Sequence, residues 1–289
     1  MRRADFATAW SISDRILAQR QPGETCWHLP RHQQWVWDGR ALVNQQVLVR
    51  CYHGLGDTIQ FARCLPMLDR IARETIVWVQ PPLIRLLGTL PGSRQLLPLH
   101  DGSPGVDYDV DIEIMELGHA LRLREEELGA CVPYFHVDPA PRPLGKFNVG
   151  VVATTGDWDG RRSIPPDVFS PLRNLSGVEL FNLQLEDPLT GIHDWSTPDV
   201  LELASRLCAL DLVIAPDTMI AHLAGALAVR TWTLLPYPAD WRWHQPHRTD
   251  SPWYPTMRLF RQSQAGDWDS VMQDVYQCLT ACRDSQCLL

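Results

Sequence analysis

At 289 residues the chain is long enough to bury a large core and to form two domains of ordinary size. Apolar residues make up 45%, as in soluble globular proteins, and no apolar run is long enough to read as a transmembrane helix. A net charge of −8 argues against non-specific nucleic-acid binding.

The first twenty residues carry Arg2 and Arg3 but no apolar core of an export signal, and Asp5 and Asp14 interrupt them. Residues 5 to 20 read instead as an amphipathic helix, with Phe6, Ala9, Trp10, Ile16 and Leu17 on one side. With no export signal and no CxxC among the eight cysteines, the expectation is reduced thiols in the cytoplasm. Cys278, Cys282 and Cys287 fall near one face of the last helix, but without a usual ligand spacing, so no metal is expected.

Residues 21 to 44 are polar, aromatic and irregular. Val47 to Tyr52 (VLVRCY) then reads as a strand. HGLGDTIQFARCLPML follows at once. Gly54 and Gly56 bracket a tight turn, Asp57 or Thr58 caps the helix behind it, and Pro66 kinks or ends that helix. This is neither GxGxxG nor a Walker motif, so neither a dinucleotide nor an ATP loop is specified. Thr75 to Gln80 reads as a strand, PPLIRLLGTLPG as a short helix, and residues 96 to 112 as a strand and loop. DVDIEIMEL leads to a helix near 116 to 128. The proline-rich segment from His136 to Lys146 reads as a linker.

The alternation then restarts. Phe147 to Thr154 is a strand, TGDWDGRRSIPP a polar loop with Arg161 and Arg162 adjacent, Pro166 to Leu172 a helix, VELFNLQ a strand and VLELASRLCALD a helix. The stretch LVIAPDTMIAH, Leu212 to His222, joins a buried strand to a helix whose apolar face holds Ile220, Leu223, Ala224 and Leu227. Asp217 and Thr218 stand at the helix start, where free amides and the helix dipole suit a phosphate. The alternative is an ordinary βα connection. TWTLLP is a further strand, PYPADWRWHQPHRTDSPWYP a long loop, and DWDSVMQDVYQCLTAC a final helix. The expected fold is α/β, with two doubly wound Rossmann-like domains facing a cleft. Its divisions are a lead-in over 1–44, an N-terminal domain over 45–138, a linker over 139–146 and a C-terminal domain over 147–289.

HGLGDTIQFARCLPML, LDLVIAPDTMIAHLAGAL, LLPYPADWRW and SPWYPTMRLFRQSQAGDWDSV together resemble the bacterial glycosyltransferases related to family 9. These include the lipopolysaccharide heptosyltransferases. The match is strongest to the branch often fused behind tetratricopeptide repeats, and such repeats are absent from this chain. The resemblance implies a GT-B fold and an inverting, metal-independent glycosyltransferase without a cofactor. Its donor is a nucleotide-diphosphate sugar, ADP- or UDP-linked, and its acceptor a saccharide, peptide or protein. Asp57 takes the place of the family's candidate base, and the physics agrees, since inversion needs a group to accept the acceptor's proton. A plain helix cap is the structural alternative for Asp57. Gly54, Gly56, Thr58 and Gln60 belong to the acceptor-side loop. Arg161 and Arg162 match the basic loop before Ser-Ile-Pro; they, with Asp217, Thr218, Met219 and His222, are the candidate diphosphate holders. A packed histidine is the other reading of His222. Trp241 and Trp243 are candidate pocket walls, or core.

Two stretches depart from the family pattern. VGVVATTG stands where an apolar run ending in Trp-Ala-Gly is usual, and Tyr52-His53 where Glu-Gln is often found. His53 thereby becomes an alternative base. A catalytically inactive sugar-nucleotide-binding or partner-binding module is the competing functional reading.

Overall fold

A computed structural model describes residues 3, 5–20, 26–143, 146–156 and 159–285. The chain divides into two compact units between His136 and Val137.

The first unit opens with α1 (Phe6–Ala18), capped by Asp5, whose carboxylate accepts from the Thr8 amide at 3.0 Å. Phe6 and Trp10 are buried, and the Trp10 indole donates to the Leu123 carbonyl at 2.8 Å. Ile16, expected on that face, is exposed. The irregular lead-in belongs to this unit. Glu116 accepts from the Val36 and Trp37 amides at 3.3 and 2.9 Å and so stitches it to the sheet. There follow β1 (Gln46–Arg50), α2 (Leu55–Phe61), α3 (Leu65–Asp69), β2 (Glu74–Val79), α4 (Ile84–Leu87), β3 (Gln95–Pro98), β4 (Val110–Glu113), α5 (Leu117–Ala120) and α6 (Glu125–Leu128). Pro66 lies in the first turn of α3, so the predicted helix is split by a 3-10 turn at Ala62–Cys64. The helix expected over 116–128 is likewise two pieces. Arg122 takes the left-handed conformation (φ 54°) after α5 and stops it.

In the second unit the proline-rich segment is packed down. Ala140 donates to the Ser205 carbonyl at 2.9 Å, and Arg142 pairs with Asp211 at 2.6 Å. Residues 144–145 of the expected linker lie outside the described residues. The elements are β5 (Phe147–Val151), α7 (Ser170–Arg173), β6 (Val178–Asn182), β7 (His193–Asp194), α8 (Val200–Cys208), β8 (Leu212–Pro216), α9 (Met219–Ala226), β9 (Thr231–Leu235), β10 (Met257–Arg261) and α10 (Trp268–Ser285). β5 has a glycine at its fourth position, Gly150, for a packing reason. A Cβ on Gly150 would stand 2.6 Å from Leu183 and 2.7 Å from Leu210.

The sheets are parallel, in the orders β3-β2-β1-β4 and β10-β9-β8-β5-β6-β7. Counted from each unit's own first strand these are 3-2-1-4 and 3-2-1-4-5-6, the doubly wound arrangement. Connections leave in opposite directions on either side of the first and fourth strands. Ligands of such sheets bind outside the carboxyl ends of the strands at that reversal. In the first unit the reversal falls between β1 and β4, and in the second between β5 and β8. The strands beside these points carry continuous apolar runs, as parallel strands buried on both faces require. Val47, Leu48 and Val49, and Val213, Ile214 and Ala215, have no exposed surface.

Candidate functional site

At the reversal point of the second unit, two turns meet. The turn after β5 carries Gly160–Arg162 as a short 3-10 segment, capped by Asp159, whose carboxylate accepts from the Arg161 amide. Thr155 and Ser163 pin its two ends, their hydroxyls 2.9 Å apart. Asp157 and Trp158 lie outside the described residues. The turn after β8 carries Asp217 and Thr218 into α9. Arg162 joins the two turns, its Nη1 donating to the Asp217 carbonyl at 2.8 Å. Among the described residues, two polar atoms here lack partners: Arg162 Nε and Thr218 Oγ1. Thr218 is the N-cap of α9 with no side-chain capping bond, so its hydroxyl stays available beside the first amides of the helix.

Asp217 and His222 are built differently from the expectation. The Asp217 carboxylate turns inward and accepts from Trp243 Nε1 at 2.8 Å, with His222 Nε2 at 3.4 Å. Burial pushes its pKa up, but the His222 bond and charge, the Arg242 charge and the Trp243 N–H outweigh this and hold it at about 2. His222 is 2% exposed; its Nδ1 meets the Tyr254 hydroxyl at 2.9 Å and its ring stacks on Trp243 at 5.4 Å. With both ring nitrogens engaged, His222 is a core histidine that braces the turn and not a phosphate donor. Trp243, with no exposed surface, is core as well and not a pocket wall. Trp241 is half-buried and lies edge-on to Trp253. Arg161 points to solvent, paired with Asp159 at 2.8 Å, so Arg162 alone of the two is tied to the turn. Met219 is half-buried.

In the first unit, the turn after β1 meets the end of β4. Gly54, not Asp57 or Thr58, is the N-cap of α2. Asp57 sits three residues in and folds back, its Oδ2 accepting from the Gly54 amide at 3.1 Å. Thr58 is fully buried and donates to Gln80 Oε1 at 3.1 Å, while Gln80 Nε2 donates to the His53 carbonyl at 2.8 Å. Gln60 is fully buried too, so Thr58 and Gln60 are scaffold and not acceptor contacts. Gly56 and Asp57 are half-buried, and Gly54 is exposed. His53, half-buried, places Nδ1 2.9 Å from Glu113 Oε1. Tyr52 packs away on the sheet face, its hydroxyl accepting from Arg50 at 2.7 Å.

No sequence model of a known family matches the chain. Protein FlbA of Caulobacter vibrioides is 23% identical over 302 residues, covering 86% of this chain and 48% of FlbA, so the chain spans about half the length of that relative. A glycosyl transferase of family 9 from Veillonella parvula superposes with a TM-score of 0.53 at 12% identity, over 86% of this chain and 96% of that one. The fold is that of the family 9 glycosyltransferases. The heptosyltransferase WaaC of E. coli, solved with ADP-2-deoxy-2-fluoro heptose, has a TM-score of 0.51 at 14% identity over 80% of this chain and 99% of its own. On this GT-B fold both clusters stand where doubly wound sheets take ligands.

The residues that sequence reasoning missed are partners rather than motif members. Glu113, Tyr254 and the Arg162–Asp217 link join segments far apart in the chain. Only the acid closing the apolar stretch DVDIE was a local signal. Among the described residues no three His, Cys, Asp or Glu side chains gather as a metal site, and no helix is long and apolar enough to cross a membrane. Of the cysteine trio, Cys278 is half-buried, and Cys287 lies outside the described residues.

Proposed function

We propose that the chain is an inverting, metal-independent glycosyltransferase. It would move a sugar from a nucleoside-diphosphate sugar to an acceptor hydroxyl on a saccharide, peptide or protein. The observation that carries this reading is the Arg162 bond to the Asp217 carbonyl, which sets a guanidinium beside a capless helix start at the reversal point of a doubly wound sheet. A diphosphate needs that set: a fixed cation, a hydroxyl and main-chain amides directed at one place. In the transfer, the acceptor oxygen bonds to the anomeric carbon while the bond to the diphosphate breaks. The electron pair goes to the leaving oxygen. Arg162, the Thr218 hydroxyl and the Met219 and Ile220 amides stabilise that charge, a role otherwise open to a metal ion. The acceptor's proton goes to the turn after β1, where Asp57 and His53 are the available bases.

WaaC was solved with an ADP sugar, which makes ADP the first probe. A thermal-shift panel of ADP, UDP, GDP and CDP tests the donor site. A ligand at 100 times its dissociation constant adds about 2.7 kcal/mol of stability. Release of the nucleoside diphosphate from the matching nucleotide sugar tests turnover. If none of the diphosphates stabilises the protein, the reading fails. The second reading, a module that binds nucleotide sugars without turnover, draws support from Tyr52, which is packed on Arg50 at a position where the family often has glutamate. Binding without diphosphate release would establish it.

A further inference from the structure

We infer that Glu113 is a positioning residue for His53, and that the His53 imidazole, rather than Asp57, takes the acceptor's proton. The inference rests on the transferase reading above.

The two residues come from neighbouring strands at the reversal point of the first sheet: Glu113 closes β4, and His53 lies in the turn after β1. Glu113 is 1% exposed and held rigidly. Its Oε1 accepts from the Tyr52 amide at 3.2 Å and stands 2.9 Å from His53 Nδ1; its Oε2 accepts from the Met115 amide at 2.7 Å. His53 is fixed from its other side through its carbonyl, by Gln80, which Thr58 orients. A carboxylate against Nδ1 selects the tautomer with its proton on Nδ1 and its lone pair on Nε2, and stabilises the imidazolium that forms when Nε2 takes a proton. His53 keeps 26% of its side chain exposed, so the ring spans from a buried carboxylate to the surface.

Asp57 has a different job. Its Oδ2 accepts from the Gly54 amide and closes the start of α2, so that oxygen is already engaged in the capping box. The surroundings leave His53 as the partner of the Glu113 charge. Behind Glu113 stand Glu116, raised by burial with Glu113 adding to it, and the Cys51 thiol, driven well up by burial and by the Glu113 charge. Tyr52 is next in sequence and Asp57 four residues on. The Arg50 cation on β1 is bound to Asp111 at 2.7 Å. In the step itself the acceptor O–H proton moves to Nε2, the oxygen bonds to the anomeric carbon, and the diphosphate leaves with the electron pair of the broken bond.

Two measurements test this. In protein carrying 15N-labelled histidine, the His53 ring signals, assigned by His53→Gln, are expected to show the Nδ1–H tautomer. Their titration midpoint should fall in Glu113→Gln, which keeps an oxygen for a main-chain amide. His53 signals unmoved by that change would overturn the pairing. With whichever nucleotide sugar is turned over, His53→Gln is expected to lose ~10²-fold or more in kcat. Glu113→Gln should lower kcat with the donor KM unchanged and shift the acid limb of the pH profile to lower pH, because the base is then protonated only at lower pH. Asp57→Asn, able to cap Gly54 through its amide oxygen, should lose far less. Abolished turnover in Asp57→Asn with His53→Gln intact would return the role to Asp57. If wild type turns over no nucleotide sugar, the transferase reading fails, while the ring signals still decide the pairing.

Discussion

Asp217→Asn tests the buried brace beneath the proposed diphosphate site. The Asp217 carboxyl is held at about 2 against an ordinary 3.8. A carboxyl whose pKa is lower in the folded chain adds stability that is complete above the unfolded value and disappears as pH falls through the folded one. The difference corresponds to about 2 kcal/mol at neutral pH, of which about 1 kcal/mol is gone by pH 3. Asparagine is nearly isosteric and leaves an oxygen for the Trp243 indole, so the substitution removes charge with little change in packing. Urea unfolding of wild type and variant from pH 7 to pH 3 reads the effect. The variant should be less stable by about 2 kcal/mol at pH 7, with the gap narrowing below pH 4 as wild type loses its advantage. Equal stabilities at pH 7, or a gap unchanged down to pH 3, would refute the argument that the charge is held by His222 and Arg242.

Two further predictions concern the same unit. Gly225→Ala would set a methyl 2.5 Å from the Tyr254 ring, whose hydroxyl holds His222, and the forced shift should destabilise by about 1–3 kcal/mol in urea unfolding. Arg162→Ala should abolish the thermal stabilisation by nucleoside diphosphate. Arg161→Ala, which removes only an exposed pair with Asp159, should leave both that stabilisation and the melting temperature nearly unchanged.

What the sequence made legible is what apolar runs and turn chemistry report. LVIAPDTMIAH showed its strand, its turn and its helix because a parallel strand buried on both faces is apolar at every position. β10 was missed for the opposite reason. It is an edge strand in which Met257, Leu259 and Phe260 are buried while Arg258 lies exposed, so MRLFR resembles loop sequence after a proline-rich stretch. The helix over 116–128 was overcalled because nothing local marks Arg122 as left-handed. The candidate site was legible as segments and illegible as contacts. His222 has the right position on α9 for a ligand, one turn from Thr218, but Trp243 and Tyr254 occupy it from 21 and 32 residues away. No spacing rule carries that information. Likewise Asp57 looked like the group at the mouth of the turn, and the fold brought Glu113 there from 60 residues beyond His53.

The two sheets use one device at their reversal points. In each, a side chain from the turn after the first strand reaches across to the fourth: His53 to the Glu113 carboxylate, Arg162 to the Asp217 carbonyl. The shared topology brings the turns together but does not decide what they do. In the first unit the reaching group is an imidazole and its partner a buried anion, which favours uptake of a proton. In the second the reaching group is a permanent cation and its hydrogen-bond partner a main-chain carbonyl, which positions the guanidinium without neutralising it through that contact. A transfer from a diphosphate needs both, a proton acceptor for the attacking hydroxyl and a counter-charge for the leaving group. Exchanging the Glu113 charge for an amide should therefore disturb proton uptake and leave diphosphate binding intact, while removing Arg162 should do the reverse. That separation follows from the chemistry of the two contacts, since the strand arrangement beneath them is the same.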